Sequence, residues 1–163
     1  MMSKRFLAAL VPFALLCSVS FAAEGTDVPK EFSAIIGGFL GSTYAVELRD
    51  GALHYTEKKN RNGHYGITSS ATLTPTSEDW QKFRKTIDHL NIWQWRADYP
   101  SRGTQDGTQW SLKIAYSDRA VKTHGNNNYP DANGRPKDNS DPTKTFNEYL
   151  AAVRTLIGGR NFE

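Results

Sequence analysis

From residue 31 onward, short runs of alternating apolar and polar side chains are separated by two longer runs with apolar residues every three or four positions. Phe32 to Leu40 mixes apolar residues with Gly37 and Gly38, which predicts a strand with a bend. Tyr44, Val46 and Leu48 alternate with Ala45, Glu47 and Arg49; Asp50-Gly51 follows, and Leu53 and Tyr55 then alternate with His54 and Thr56. Period-two alternation on both sides of Asp-Gly predicts a β-hairpin, because those residues accept positive φ in a tight turn. Lys58 to Gly66 reads as a polar, basic, mobile loop, and Ile67 to Leu73 as a further strand.

Pro75-Thr76-Ser77-Glu78-Asp79 marks a helix start, with Thr76 or Ser77 as N-cap and acids in the first turn. Trp80, Phe83, Ile87 and Leu90 then form one apolar stripe facing a core. Trp93, Trp95 and Tyr99 follow in an irregular stretch closed by Pro100. After Asp106-Gly107, Trp110, Leu112, Ile114 and Tyr116 point one way and Ser111, Lys113, Ala115 and Ser117 the other. Ser117-Asp118-Arg119 turns the chain, and Ala120 to His124 returns as the partner strand. A polar loop runs from Gly125 to Pro142, and a last helix, Thr143 to Ile157, carries Phe146, Tyr149, Leu150, Val153, Leu156 and Ile157 on its buried stripe.

The order is ββ(β)αββα. Half-polar strands belong to an antiparallel sheet with one wet face. The expected fold is α+β: a two-layer sandwich with about five antiparallel strands and two helices on one face.

What precedes this domain is of another kind. Residues 1–23 read as a signal peptide: Lys4 and Arg5, the apolar run Phe6 to Val19, then Ser20 and Ala22 at −3 and −1 of a cut after Ala22, with a cut after Ala23 also allowed. Residues 24–30 are a flexible lead-in, and 31–163 form the single domain. Removing Lys4 and Arg5 lowers the formal charge from +3 to +1, 18 basic side chains against 17 acidic, which argues against a polyanion binder. Cys17, the single cysteine, leaves with the signal; Leu16 before it does not suit lipidation. The mature chain then has no disulfide and no thiolate chemistry.

Candidate chemistry is sparse. His54, His64, His89 and His124 show no i, i+2 or i, i+4 pairing, so no metal site is expected. No serine lies in a G-x-S-x-G elbow or an S-x-x-K arrangement. Gly37-Gly38-Phe39-Leu40-Gly41-Ser42 lacks the lysine of a phosphate loop, and Glu78-Asp79 suits the positive end of a helix. The Asp131 to Asp141 loop offers oxygens without EF-hand spacing and reads as solvated.

The aromatic residues carry more. Trp93, Trp95, Tyr99, Trp110, Tyr116 and Tyr129 crowd one region; most are expected in the core, with Trp95, Arg96 and Tyr99 exposed because they lie in a loop. His124-Gly125-Asn126-Asn127-Asn128-Tyr129-Pro130 is the most distinctive string, a structural turn or a contact loop. Trp95, Arg96, Tyr99, Asn126, Asn128 and Tyr129 are therefore the candidate contact residues, with the aromatics supplying apolar area and the amides directional hydrogen bonds.

Asp106-Gly107-Thr108-Gln109-Trp110, followed by His124-Gly125-Asn126 and Tyr129-Pro130, resembles uncharacterised bacterial exported domains. In these, a DG-x-x-W strand precedes a G-x-N-x-Y-P turn and a closing amphipathic helix. An extra asparagine and the 12 residues between Pro130 and Thr143 depart from that pattern. The resemblance implies the layout of the C-terminal part and no activity.

The resulting expectation is an exported, soluble bacterial protein, periplasmic or secreted. It is read as a non-catalytic binding module for a protein partner or an envelope polysaccharide, needing no cofactor and binding neither nucleic acid nor, once cleaved, membrane. The alternatives are an inhibitor or immunity protein of an envelope enzyme, and a cell-wall or glycan hydrolase using two of Asp98, Asp106 and Asp118 or a histidine.

Overall fold

The computed structural model describes residues 27–38, 41–61, 64–101, 103, 107–137 and 141–163. Residues 1–23, read above as a signal peptide and holding Cys17, residues 24–26 of the expected lead-in, Arg102, Asp106 and Asp138 lie outside the described residues.

The fold is α+β. Strands β1 (Glu31–Gly37), β2 (Ser42–Arg49), β3 (Ala52–Arg61) and β4 (His64–Leu73) precede helix α1 (Ser77–His89). A single 3-10 turn (Ile92–Gln94), β5 (Asp98–Tyr99), β6 (Gln109–Ala115), β7 (Ala120–Asn126) and helix α2 (Lys144–Leu156) complete it. The strands form one mixed sheet in the order β4-β3-β2-β1-β6-β7-β5. All neighbours are antiparallel except β5 and β7, which run parallel.

Alternation decides the two faces. Phe32, Ala34 and Ile36 lie opposite Ile114, Leu112 and Trp110, and all six are buried. Phe32 meets Trp80 and Phe83 of α1 edge-on, and Trp110 packs on Phe146 of α2 at 4.8 Å. Both helices therefore cover the same face, where each buried large side chain contributes about 1.5–3 kcal/mol. The opposite face carries no helix among the described residues. No helix among the described residues is long and apolar enough to cross a membrane.

Local chemistry sets the boundaries. At the hairpin between β2 and β3, Asp50 and Gly51 take φ of 51° and 77°, the left-handed pair of a type I′ turn. Thr76 caps α1: its hydroxyl accepts the Asp79 N–H at 3.2 Å, while the Asp79 carboxylate accepts the Thr76 N–H at 2.9 Å. This is a more specific role for Asp79 than dipole compensation. Thr143 caps α2 by accepting the Phe146 N–H at 3.0 Å.

The sheet differs from the expected one in two ways. It has seven strands rather than about five, with Ile67–Leu73 a full member and Asp98–Tyr99 adding β5, and the segment read as a loop from Lys58 to Gly66 instead lengthens β3 and β4 into a longer ladder. The β4 positions from His64 to Ser70 are all exposed, so neither face needs apolar residues and no alternation marks the strand. The strand also carries a bulge at Thr68, where the register shifts between Glu57 and Lys58.

Arg84 ties α1 to the β6–β7 turn. Its guanidinium lies 4.1 Å from the Tyr116 ring centroid, and donates to Asp118 at 2.8 Å and to Asp88 at 2.9 Å. The Trp93 indole N–H also donates to Asp88, at 2.7 Å.

Candidate functional site

Four of the six candidate contact residues belong to the interior. Trp95 is 5% exposed, edge-on to Tyr149 at 5.4 Å and to Trp110 at 6.1 Å. Tyr99 is fully buried: its hydroxyl accepts the Arg96 N–H at 2.9 Å and donates to the Gly134 carbonyl at 2.7 Å, and burial raises its pKa. Tyr129 lies under Trp110 and Phe146. Asn128 donates from its side chain to the Pro100 carbonyl at 3.0 Å, and its own carbonyl accepts the Trp110 indole N–H at 3.0 Å. The reason is energetic: a loop carrying Trp and Tyr beside an aromatic sheet face gains more by folding onto it than by standing in water. Only Arg96 remains exposed, with Asn126 partly so.

The asparagine string is accordingly a structural lock. Asn127 adopts φ 45° and accepts the Thr108 N–H at 2.8 Å on its side-chain oxygen. A methyl group at Gly125 would sit 2.6 Å from the Trp110 indole nitrogen, so the glycine is what admits that ring.

The uncovered sheet face presents a different surface. Register aligns Ser70, Thr56, Ala45, Ile35, Ser111, His124 and Asp98 in one row across all seven strands. Ala45 and Ser111, both small, flank Ile35 in the middle of this row. A groove of about 710 Å³ occupies its β1–β6–β7 part, with Ile35, Ser111, His124 and Asp98 among its lining residues. Gln109 and Asn126, paired across β6 and β7, supply neutral amides, and Thr43 and Tyr65 close the β2 side.

Two features give the groove its character. His124 Nε2 lies 3.1 Å from Asp98 Oδ1, with both side chains more than half exposed. Ile35 and Tyr65 are 41% and 48% exposed, two of the four most exposed large hydrophobic residues among those described. A third, Ile67, lies opposite Lys58 and so on the same side of the sheet, 62% exposed. No lysine or arginine lines the groove among the described residues. Nor do those residues contain a group of three or more His, Cys, Asp and Glu side chains that could hold a metal ion.

Sequence reasoning missed this surface. Ile35 gave the available signal, since Ala34-Ile35-Ile36 breaks strict alternation and puts an apolar side chain on the wet face. The Asp98–His124 pair had none, because it depends on a two-residue strand.

A comparison of the sequence with protein-family models and with curated proteins finds no match.

Proposed function

We propose that the protein is an exported, non-catalytic binding module of the bacterial envelope, and that it holds its target on the uncovered sheet face. The observation that carries this reading is the groove of about 710 Å³, which combines exposed Ile35 and Tyr65 with neutral polar groups on rigid central strands. Concave surfaces with apolar lining and a few placed polar groups are the usual form of binding sites. The residues 1–23 with export character supply the compartment, and the net charge of +1 beyond them agrees with a target that is not a polyanion.

The test is retention of the purified protein on an envelope fraction. Ser111→Trp fills the groove from its floor, and Ile35→Lys charges it. Both should lose retention while keeping the thermal midpoint within about 2 °C, since each side chain points away from the core. Undiminished retention in both variants overturns the reading.

The same row favours one second reading. Ser111, His124 and Asp98 occupy adjacent strands, and they are the residue types of acyl transfer. Hydrolysis of an ester on an envelope polymer would make Ser111 the nucleophile and His124 the base. It predicts turnover lost in both Ser111→Ala and His124→Ala; binding without turnover leaves the non-catalytic reading in place.

A further inference from the structure

We infer that the groove takes a neutral saccharide chain, with one sugar ring stacked on Tyr65 and hydroxyls further along held by Asp98 and His124. The inference rests on the binding reading above and specifies its ligand.

Tyr65 provides the platform. It belongs to β4, yet its hydroxyl is hydrogen-bonded to the hydroxyl of Thr43 on β2, two strands away. To reach across β3 the side chain must lie along the sheet rather than stand up from it. One ring face is thereby turned to solvent, consistent with its 48% exposure. The C–H face of a pyranose is apolar and weakly positive, and it matches the negative face of an aromatic ring.

The rest of the groove has the polar inventory that sugar hydroxyls require. Each hydroxyl both donates and accepts, so it is best met by neutral groups that do the same. Ser111 and Gln109 are such groups, and the Asp98–His124 pair places an acceptor beside an imidazole at the far end. Four strand spacings separate Thr43 on β2 from Asp98 on β5, a span of ~19 Å that accommodates several rings. Phosphate-rich polymers are disfavoured, because no lysine or arginine lines the groove among the described residues.

An extended peptide fits less well. Peptides that dock on sheets pair with an edge and draw affinity from its free backbone groups. Here β1, β6 and β7 each have strand neighbours on both sides, so the backbone beneath the groove is committed to the ladders. A helix would need a wide apolar bed; among the described residues Ile35 and Tyr65 are the exposed large apolar side chains that line the groove, and Ile67 lies outside it.

The test is an NMR titration of the mature chain, following the Ile35 methyl signals. The probes are chitotetraose, cellotetraose and maltotetraose at millimolar concentration, with an uncharged extended octapeptide and polyphosphate as comparisons. A saturable shift with at least one tetrasaccharide is expected. It should be about tenfold weaker in Tyr65→Ala, with Tyr65→Phe, which keeps the ring but loses its tether to Thr43, falling between the two. Silence with all three sugars, a shift only with peptide or polyphosphate, or indifference to Tyr65→Ala overturns the saccharide assignment. If Ser111→Trp or Ile35→Lys still abolishes envelope retention in that case, the binding module stands without it; if neither variant reduces retention, both fall.

Discussion

Asp98 and His124 stand at one register position of the parallel pair β5–β7, and their side chains meet at 3.1 Å on the sheet face opposite α1 and α2. An exposed pair of this kind contributes only about 0–1 kcal/mol to stability. Asp98→Asn and His124→Ala should therefore leave the thermal midpoint nearly unchanged. Each should weaken retention on envelope material, and a large loss of midpoint in both would make the pair a structural clasp instead.

The aromatic loop behaves in the opposite way. Trp95→Ala removes a buried ring from the Trp110–Phe146–Tyr149 cluster and should cost about 3–5 kcal/mol. Tyr99→Phe leaves the Gly134 carbonyl without its donor and the Arg96 N–H without its acceptor, at about 1–3 kcal/mol. Urea unfolding of the two variants measures both values. Unchanged stability would return these residues to a surface role.

Acid should loosen the α1 clamp. Hydrogen bonds from Arg84 hold the Asp118 carboxyl at about 2, below its ordinary 3.8. A carboxyl with a folded pKa below its unfolded value stabilises the fold above the unfolded value, and that contribution fades as pH falls from 3.8 toward 2. The midpoint should fall over this window in the original chain and fall less in Arg84→Met. Exposure of Asp118 keeps the effect small. Equal acid sensitivity of the two chains would remove Arg84 as the cause.

The N-cap of α1 gives a separate, local expectation. Thr76→Ala removes the acceptor of the Asp79 N–H and should lower the midpoint by about 3 °C. It should also let the Asp79 carboxyl, held low by Thr76, rise toward its ordinary value, which a carbon-detected NMR pH titration of that side chain reads directly.

These contrasts show what the sequence could convey. The Asp50-Gly51 hairpin, the α1 cap and stripe, and the Trp110 to Tyr116 face were legible because each is written in neighbouring residues: a turn dipeptide, a capping box, a fixed period. The β3–β4 ladder beyond Lys58 was not, because a strand exposed on both faces carries no burial pattern. Trp95 and Tyr99 were misplaced for a related reason: the loop holding them folds back on the core through contacts with Gly134, Tyr149 and Trp110, far away in the chain. Of the site, Asn126 and its string were visible in sequence, and the structure turns most of that string into scaffolding. The groove itself arises from register across β2, β1, β6, β7 and β5, which alternation within single strands does not specify.

The most direct test of the uncovered face as the working surface is an amide shift map of the labelled protein with solubilised envelope polymer. The account predicts that perturbations centre on Ile35, Ser111 and His124, with Thr43 and Asp98 at the margins. Perturbations centred on Arg96 and residues 128–137, with the β1, β6 and β7 amides unmoved, would contradict it.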